Sequence, residues 1–153
     1  MRGYFGIGII GCKTAENIGC LWRSAHNFGA AFCFVIGARY KRQSSDTTHA
    51  SLHVPFFQYD TVDNFVKHGI PCGTRIVAIE QTTTSHPLHT FEHHQRCVYL
   101  LGAEDTGVPY SLIETYCHDV VHIDTPWCVN VAVAGSIVMY DRCAKQKRGI
   151  PHE

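Results

Sequence analysis

The chain has 153 residues, 45% hydrophobic and 17% charged, with 13 Lys and Arg balanced by 13 Asp and Glu. That length and mixture call for one globular α/β domain with its own core and exclude a disordered chain. They also exclude a strongly basic nucleic-acid coat and, since no run of about 18 apolar residues occurs, a membrane span.

Tyr4 to Ile10 is apolar and β-branched and reads as a buried first strand. Two patterns at its end are decoys. Ile9-Ile10-Gly11-Cys12 mimics a lipoprotein cleavage box, but the segment before it is too short and carries only Arg2 as charge. Gly6, Gly8 and Gly11 fit G-x-G-x-x-G, yet only five residues precede Gly6 and no acid follows at the required distance. From Asn17, the residues Ile18, Leu21, Trp22, Ala25 and Phe28 mark one face of a helix, with Glu16, Cys20, Arg23 and Asn27 opposite and Gly29 as its C-cap. Ala31 to Ile36 is a second buried strand. Arg39 to Ser45 is a basic, aromatic-bearing loop, either a solvated turn or a contact for an RNA backbone.

Val54 to Tyr59 is a short strand that Pro55 consigns to a sheet edge. Thr61 caps a helix through His68, and Arg75 to Ile79 is a further strand. Glu80 to Gln95 is polar. Its histidines 86, 89, 93 and 94 have spacings that suit a metal, but no cysteine or paired carboxylate converges there, so no metal is expected. Cys97 to Leu101 is a strand, Pro109 starts a helix that fades by Cys117, and a last strand ends at Ile123.

A tight turn at Thr125-Pro126 follows, and a helix restarts at Asn130, a preferred N-cap. Val133, Ile137, Tyr140 and Ala144 form its apolar stripe, widened by Val131, Ala134 and Val138, which predicts a largely buried helix. Eight scattered cysteines without a C-x-x-C pair indicate neither a zinc knuckle nor a redox motif. Cys33 and Cys97 lie in apolar runs, where a thiol packs as a small hydrophobe, and a reducing, cytoplasmic setting fits. The alternation of strands and helices predicts a parallel sheet covered on both faces.

Three polar segments stand at the carboxyl ends of predicted strands, where open parallel sheets bind ligands. They are Asn17-Ile18-Gly19-Cys20-Leu21-Trp22-Arg23, Gly102-Ala103-Glu104-Asp105-Thr106-Gly107, and Ile123 to Asn130. Alone, each is a helix cap, a glycine turn or a strand–helix junction. Together they resemble the three motifs of the SpoU (TrmH-like) branch of the SPOUT methyltransferase superfamily: Asn-x-Gly-x-x-x-Arg, Gly-x-Glu-x-x-Gly, and Ile-Pro followed by Ser-Leu-Asn-Val-x-x-Ala. The likeness spans essentially the whole chain. It departs twice: the proline is displaced to Pro126, and Cys128 stands where the family has serine.

The resemblance implies a single α/β domain over residues 1–153 with a C-terminal trefoil knot and no separate RNA-binding domain. It further implies S-adenosyl-L-methionine as methyl donor, a ribose 2′-hydroxyl of RNA as acceptor (transfer RNA foremost, ribosomal RNA as the other candidate) and a homodimer built on the first and last helices. Carried over by motif, Ile79, Glu80, Gly102, Ile123, Cys128 and Val129 would hold the donor. Asn17, Arg23, Glu104 and Asn130 would shape the catalytic side. Two other readings stay open at this stage. One is a non-catalytic RNA- or nucleotide-binding module, which Cys128 encourages. The other is a thiol enzyme using Cys128, whose only nearby histidine in sequence, His122, lies six residues back.

Overall fold

The computed structural model describes residues 3–38, 40 and 50–146. Apart from Tyr40, the basic stretch Arg39 to Ser45 lies outside the described residues. In chain order the elements are β1 (Tyr4–Ile10), α1 (Ala15–Asn27), β2 (Phe32–Ile36), β3 (Phe56–Tyr59), α2 (Val62–His68), β4 (Arg75–Ile79), β5 (His86–Pro87), β6 (Arg96–Gly102), α3 (Tyr110–Tyr116), β7 (Asp119–His122) and α4 (Val131–Lys145). The seven strands form one sheet in the order β3-β2-β1-β6-β4-β7-β5, and every pairing is parallel.

Strand alternation sorts the core into two layers, because successive side chains point to opposite faces. Phe5, Ile7 and Ile9 of β1 and Cys97, Tyr99 and Leu101 of β6 meet α1 and α4 on one face. Phe34 and Ile36 of β2 and Val98 and Leu100 of β6 meet Phe65 of α2 and Leu112 and Ile113 of α3 on the other. The glycines that mimic a dinucleotide motif belong to this packing. A Cβ at Gly6 would strike the Phe32 ring, and one at Gly8 would strike the Phe34 carbonyl and ring. They give the rings of β2 room to lie across β1.

Three expectations change. Helix α1 begins at Ala15, two residues before the predicted start. The polar stretch after β4 contains a two-residue strand, β5, paired with β7, which is too short to show any periodicity. The largest change concerns α4. Its buried residues are Val131, Ala132, Ala134, Gly135, Val138, Met139 and Arg142, while Val133 is 48% and Tyr140 59% exposed. Ala144 is exposed as well, so the expected stripe faces outward at three of its four positions, while Val131, Ala134 and Val138, expected to widen it, are buried. Small residues decide the orientation: a Cβ at Gly135 would collide with Leu21 Cδ1 and crowd Ile7, so this side alone lets α4 settle onto α1 and the sheet. Leu21 and Trp22 are likewise core residues, the Trp22 indole donating to the Val54 carbonyl at 2.9 Å, so neither offers surface to a second copy.

The described cysteines are all free thiols. Burial raises the thiols of Cys33 and Cys97 above their ordinary range, consistent with inert packing.

Candidate active site

The strand order sets the carboxyl ends of β1, β6, β4 and β7 side by side. Just beyond those ends stand Asn17 in the first turn of α1, Glu80, the turn from Gly102 to Gly107 and the segment Ile123 to Asn130, so segments far apart in sequence become neighbours at the carboxyl end of the sheet.

Within the β6 loop, the Gly107 amide donates to the Ala103 carbonyl at 2.8 Å, closing a tight turn. Gly107 has φ +64°, a left-handed conformation that disfavours other residues, and a Cβ there would strike Glu80 Oε2. Room is needed because Glu80 ties the loops together. Its Oε2 accepts from the Val108 amide at 2.8 Å and its Oε1 from its neighbour Gln81 at 3.0 Å. The β7 loop is also fastened. His122 pairs with Ser85 Oγ through Nδ1 and with Asp124 through Nε2, each at 2.9 Å, and His89 reaches the same carboxylate at 3.0 Å.

The polar centre joins the three segments. Glu104 Oε1 accepts from the side-chain amides of Asn17 at 2.8 Å and Asn130 at 3.0 Å, and Asn130 also donates to Asn17 Oδ1 at 2.9 Å. Asn130 Oδ1 accepts from the Ala132 and Val133 amides, capping α4. Both amides converge on one oxygen of Glu104, and Oε2 has no hydrogen-bond partner among the described residues. A group arriving there with a hydroxyl to donate finds an acceptor already oriented.

A cavity of about 430 Å³ opens beside this centre. Leu101, Ile79, Val131 and Ala134 contribute apolar lining, and the β4, β6 and β7 loops contribute the polar lining. Two carboxylates, Glu80 and Glu104, line it, and among the described residues neither Lys nor Arg does. Its volume is that of a small-molecule site, and its two carboxylates suit a ligand carrying positive charge. A smaller cavity of about 200 Å³ lies across Glu104, lined by Cys12, Lys13, Thr14 and Asn17 and sharing Ala103, Glu104 and Val131 with the first. Lys13 there is paired with Asp105.

Ile79, Glu80, Gly102, Ile123, Cys128 and Val129 all line the larger cavity, as does Glu104. Asn17 and Asn130 stand at its edge through their bonds to Glu104. Arg23 is exposed on α1, six residues or about 9 Å along the axis from Asn17, and is not among the lining residues. Cys128 has no thiol–histidine dyad with His122, whose two nitrogens are engaged by Ser85 and Asp124. Thr106, Val108, Tyr110 and Trp127 also line the cavity and went unread in the sequence. Trp127 stands beside Cys128 inside the third motif, which was the available signal. The histidines 89, 93 and 94 do not converge: each pairs with a different aspartate, Asp124, Asp141 and Asp119.

Residues 5–140 match the SpoU rRNA Methylase family. The mouse tRNA (guanosine(18)-2′-O)-methyltransferase TARBP1 is 25% identical over 141 residues, covering 87% of this chain and 9% of that protein. The chain thus spans about a tenth of the length of that curated relative. Among solved structures, the AdoMet-bound rRNA methyltransferase from Sinorhizobium meliloti superposes with a TM-score of 0.80 at 20% identity, covering 95% of this chain and 57% of that one. The A. aeolicus TrmH/SpoU tRNA modifying enzyme superposes with a TM-score of 0.81 at 18% identity, covering 98% and 79%. At these identities the superpositions establish the fold.

Proposed function

The chain belongs to the SpoU rRNA methylase family, and from that premise we propose that it transfers a methyl group from S-adenosylmethionine to a ribose 2′-hydroxyl of RNA, with transfer RNA as the favoured substrate. One observation carries the reading: three strand-end segments converge on a cavity with two carboxylates, no Lys or Arg among the described residues that line it, and the Asn17–Glu104–Asn130 centre at its edge.

Bound in that cavity, the donor supplies a methyl group already activated by its sulfonium. The chain's own residues bind, align and prepare the acceptor. Ile79, Gly102, Ile123, Cys128 and Val129 hold the donor's nucleoside portion, while Glu80 and Glu104 offset its positive charge. Asn17 and Asn130 fix the Glu104 carboxylate so that its second oxygen can orient the ribose hydroxyl. Fixed geometry of this kind lowers the barrier by alignment. Arg23 acts on the RNA side. A guanidinium stays protonated at neutral pH and does not serve as a base, so its role is to bind the adjoining phosphate and stabilise developing alkoxide.

The reading includes a homodimer. Cys20 of α1 and Phe28, just past its end, join Val133, Ile137 and Tyr140 of α4 in a shallow, mostly apolar surface, and Arg23 lies one turn from Cys20 on the same exposed side. A second copy docked on that surface would surround Arg23 and bring it towards an active site. Light scattering at micromolar concentration should give twice the chain mass. The reading also includes the trefoil-knotted threading, which is supported by the return of α4 across the sheet to pack on α1, and a cytoplasmic setting, supported by eight free thiols. No helix among the described residues is long and apolar enough to cross a membrane.

Methyl transfer from tritiated donor to total transfer RNA, followed by mapping of 2′-O-methyl positions, tests the activity. Label fixed at one ribose is expected. Donor binding without transfer to transfer or ribosomal RNA would favour a binding module instead.

A further inference from the structure

Most of the exposed large hydrophobic side chains have a place already. Val133 and Tyr140 belong to the α1–α4 surface, Phe57 to the edge strand β3, and Leu52 to the short turn at Ala50–Leu52. The remaining two are Trp127, 84% exposed, and Tyr110, 66% exposed, and both line the larger cavity. A tryptophan left this open in water forgoes burial that its ring would ordinarily find.

Both rings are presented from fixed backbone. The loop of Trp127 is fastened at its start by Asp124, which His122 and His89 share, and at its end by Asn130. Within it, Thr125 Oγ1 donates to the Trp127 carbonyl at 2.9 Å. Tyr110 is the first residue of α3.

We infer that Trp127, with Tyr110, forms a base-stacking platform at the mouth of the donor cavity, against which the RNA lays the nucleobase of the target nucleotide or its immediate neighbour. This inference rests on the methyl-transfer reading. A base is joined to its ribose one bond from the carbon bearing the 2′-hydroxyl, so a hydroxyl held at Glu104 keeps its base close to that centre. Trp127 is three residues from Asn130, a span of about 10 Å at most, and its ring adds reach. Single-stranded RNA is commonly gripped by aromatic rings in this way, and such stacking tolerates any base. The platform therefore supplies affinity and orientation without reading base identity.

The chain has two tryptophans, and Trp22 is buried at 8% exposure, so Trp127 dominates the quenchable emission. The test titrates fluorescein-labelled oligoadenylate, oligouridylate and an abasic oligomer of the same length into wild type, Trp127→Phe and Trp127→Ala, each with S-adenosylhomocysteine present, and reads affinity from the anisotropy of the labelled oligomer and, in wild type, also from tryptophan emission. In wild type the two base-bearing oligomers should quench the exposed emission and the abasic one should not. Trp127→Ala should bind both base-bearing oligomers about 5- to 150-fold more weakly, the range for losing one stacked base. It should bind the abasic oligomer as wild type does, and Trp127→Phe should restore most of the affinity. Equal affinity of wild type and Trp127→Ala for the base-bearing oligomers would overturn the inference. So would a loss of donor affinity in Trp127→Ala, which would make the ring a lid on the donor. Quenching by wild type that transfers no methyl group would retain the platform and remove the methyl-transfer reading.

Discussion

Helix α4 is held at its two ends by polar clusters of opposite kind. At the first turn, Asn130 meets Asn17 and Glu104 at the open rim of a cavity, and one carboxylate oxygen has no partner among the described residues. Twelve residues on, about 18 Å along the axis, Arg142 is 1% exposed. Its Nη1 donates to the His94 carbonyl at 2.7 Å and the Tyr99 hydroxyl at 3.1 Å, and its Nη2 to the Gln95 carbonyl at 3.1 Å. The guanidinium carbon also lies 5.1 Å from the centre of the Phe5 ring. Tyr99 continues to His93 Nδ1 at 2.5 Å, His93 Nε2 donates to Asp141 at 2.8 Å, and Lys145 closes on the same carboxylate. Cut off from water, this cluster turns its groups on one another, with Arg142 Nε its one buried atom that has no partner among the described residues, and at this depth it is closed to a substrate. The exposed cluster can leave an acceptor unused because water fills it until something better arrives.

If that division holds, substitutions at the buried end should change stability, and substitutions at the open end should change chemistry. The largest effect is expected from Arg142→Ala, which removes a filled volume and takes the donor from the His94 carbonyl and the buried Tyr99 hydroxyl, while the Gln95 carbonyl keeps the Tyr4 amide. Unfolding in urea should show a loss of about 3–5 kcal/mol, with donor affinity per folded molecule unchanged. Arg23→Ala should do the reverse. Methyl transfer should fall about 100- to 1,000-fold or more, the scale for removing one stabilising donor, while the urea midpoint and calorimetric donor affinity stay within a few-fold of wild type. Loss of donor binding along with activity would make Arg23 a structural or donor-site residue and break the comparison.

A third test is acid. Burial lowers the pKa of His93 from its ordinary 6.5, with Arg142 and Lys145 adding to the depression and Asp141 opposing it. The unfolded chain therefore takes up a proton at higher pH than the folded one. Between the two pKa values the unfolded state binds more protons, so stability falls as pH drops below about 6.5 and levels off beneath the folded value. One proton limits the slope to about 1.4 kcal/mol per pH unit, and His93→Asn should remove that component. Urea midpoints measured from pH 7 to 5 would show it.

The smallest effect is expected at Cys128. A thiol in place of the family serine is a weak donor, so Cys128→Ser should retain or raise activity by at most about tenfold, one neutral hydrogen bond of about 1 kcal/mol. A loss of several orders of magnitude in a folded, donor-binding variant would give the thiol a chemical role.

The two ends also differed in how far the sequence revealed them. Asn17, Glu104 and Asn130 sit in short motifs at strand ends, and the cavity lining expected at Ile79, Gly102, Ile123 and Val129 follows from the same placement. Arg142, Tyr99 and His93 belong to no motif. Their link joins residues 43 and 48 positions apart, and it exists only once β6 lies beneath α4. The inward face of α4 was misread for a related reason. Apolar residues line both sides of that helix, and the choice between sides rests on Ala134 and Gly135, whose smallness carries little weight in a hydrophobic pattern. Pairing of β5 with β7 was invisible because two residues have no period.

The scatter of free thiols turns the protein into its own set of reporters. Cys128 lies exposed at the larger cavity, Cys20 on the α1–α4 surface and Cys72 in the turn before β4, whereas Cys97 is sealed beside Arg142 and Cys33 within the sheet. A brief pulse of alkylating reagent read by peptide mass spectrometry would therefore separate three events in one sample. Protection confined to Cys128 would register ligand occupancy, and protection confined to Cys20 would register self-association. Labelling at Cys33 and Cys97 would register opening of the whole fold, with Cys72 as the constant reference.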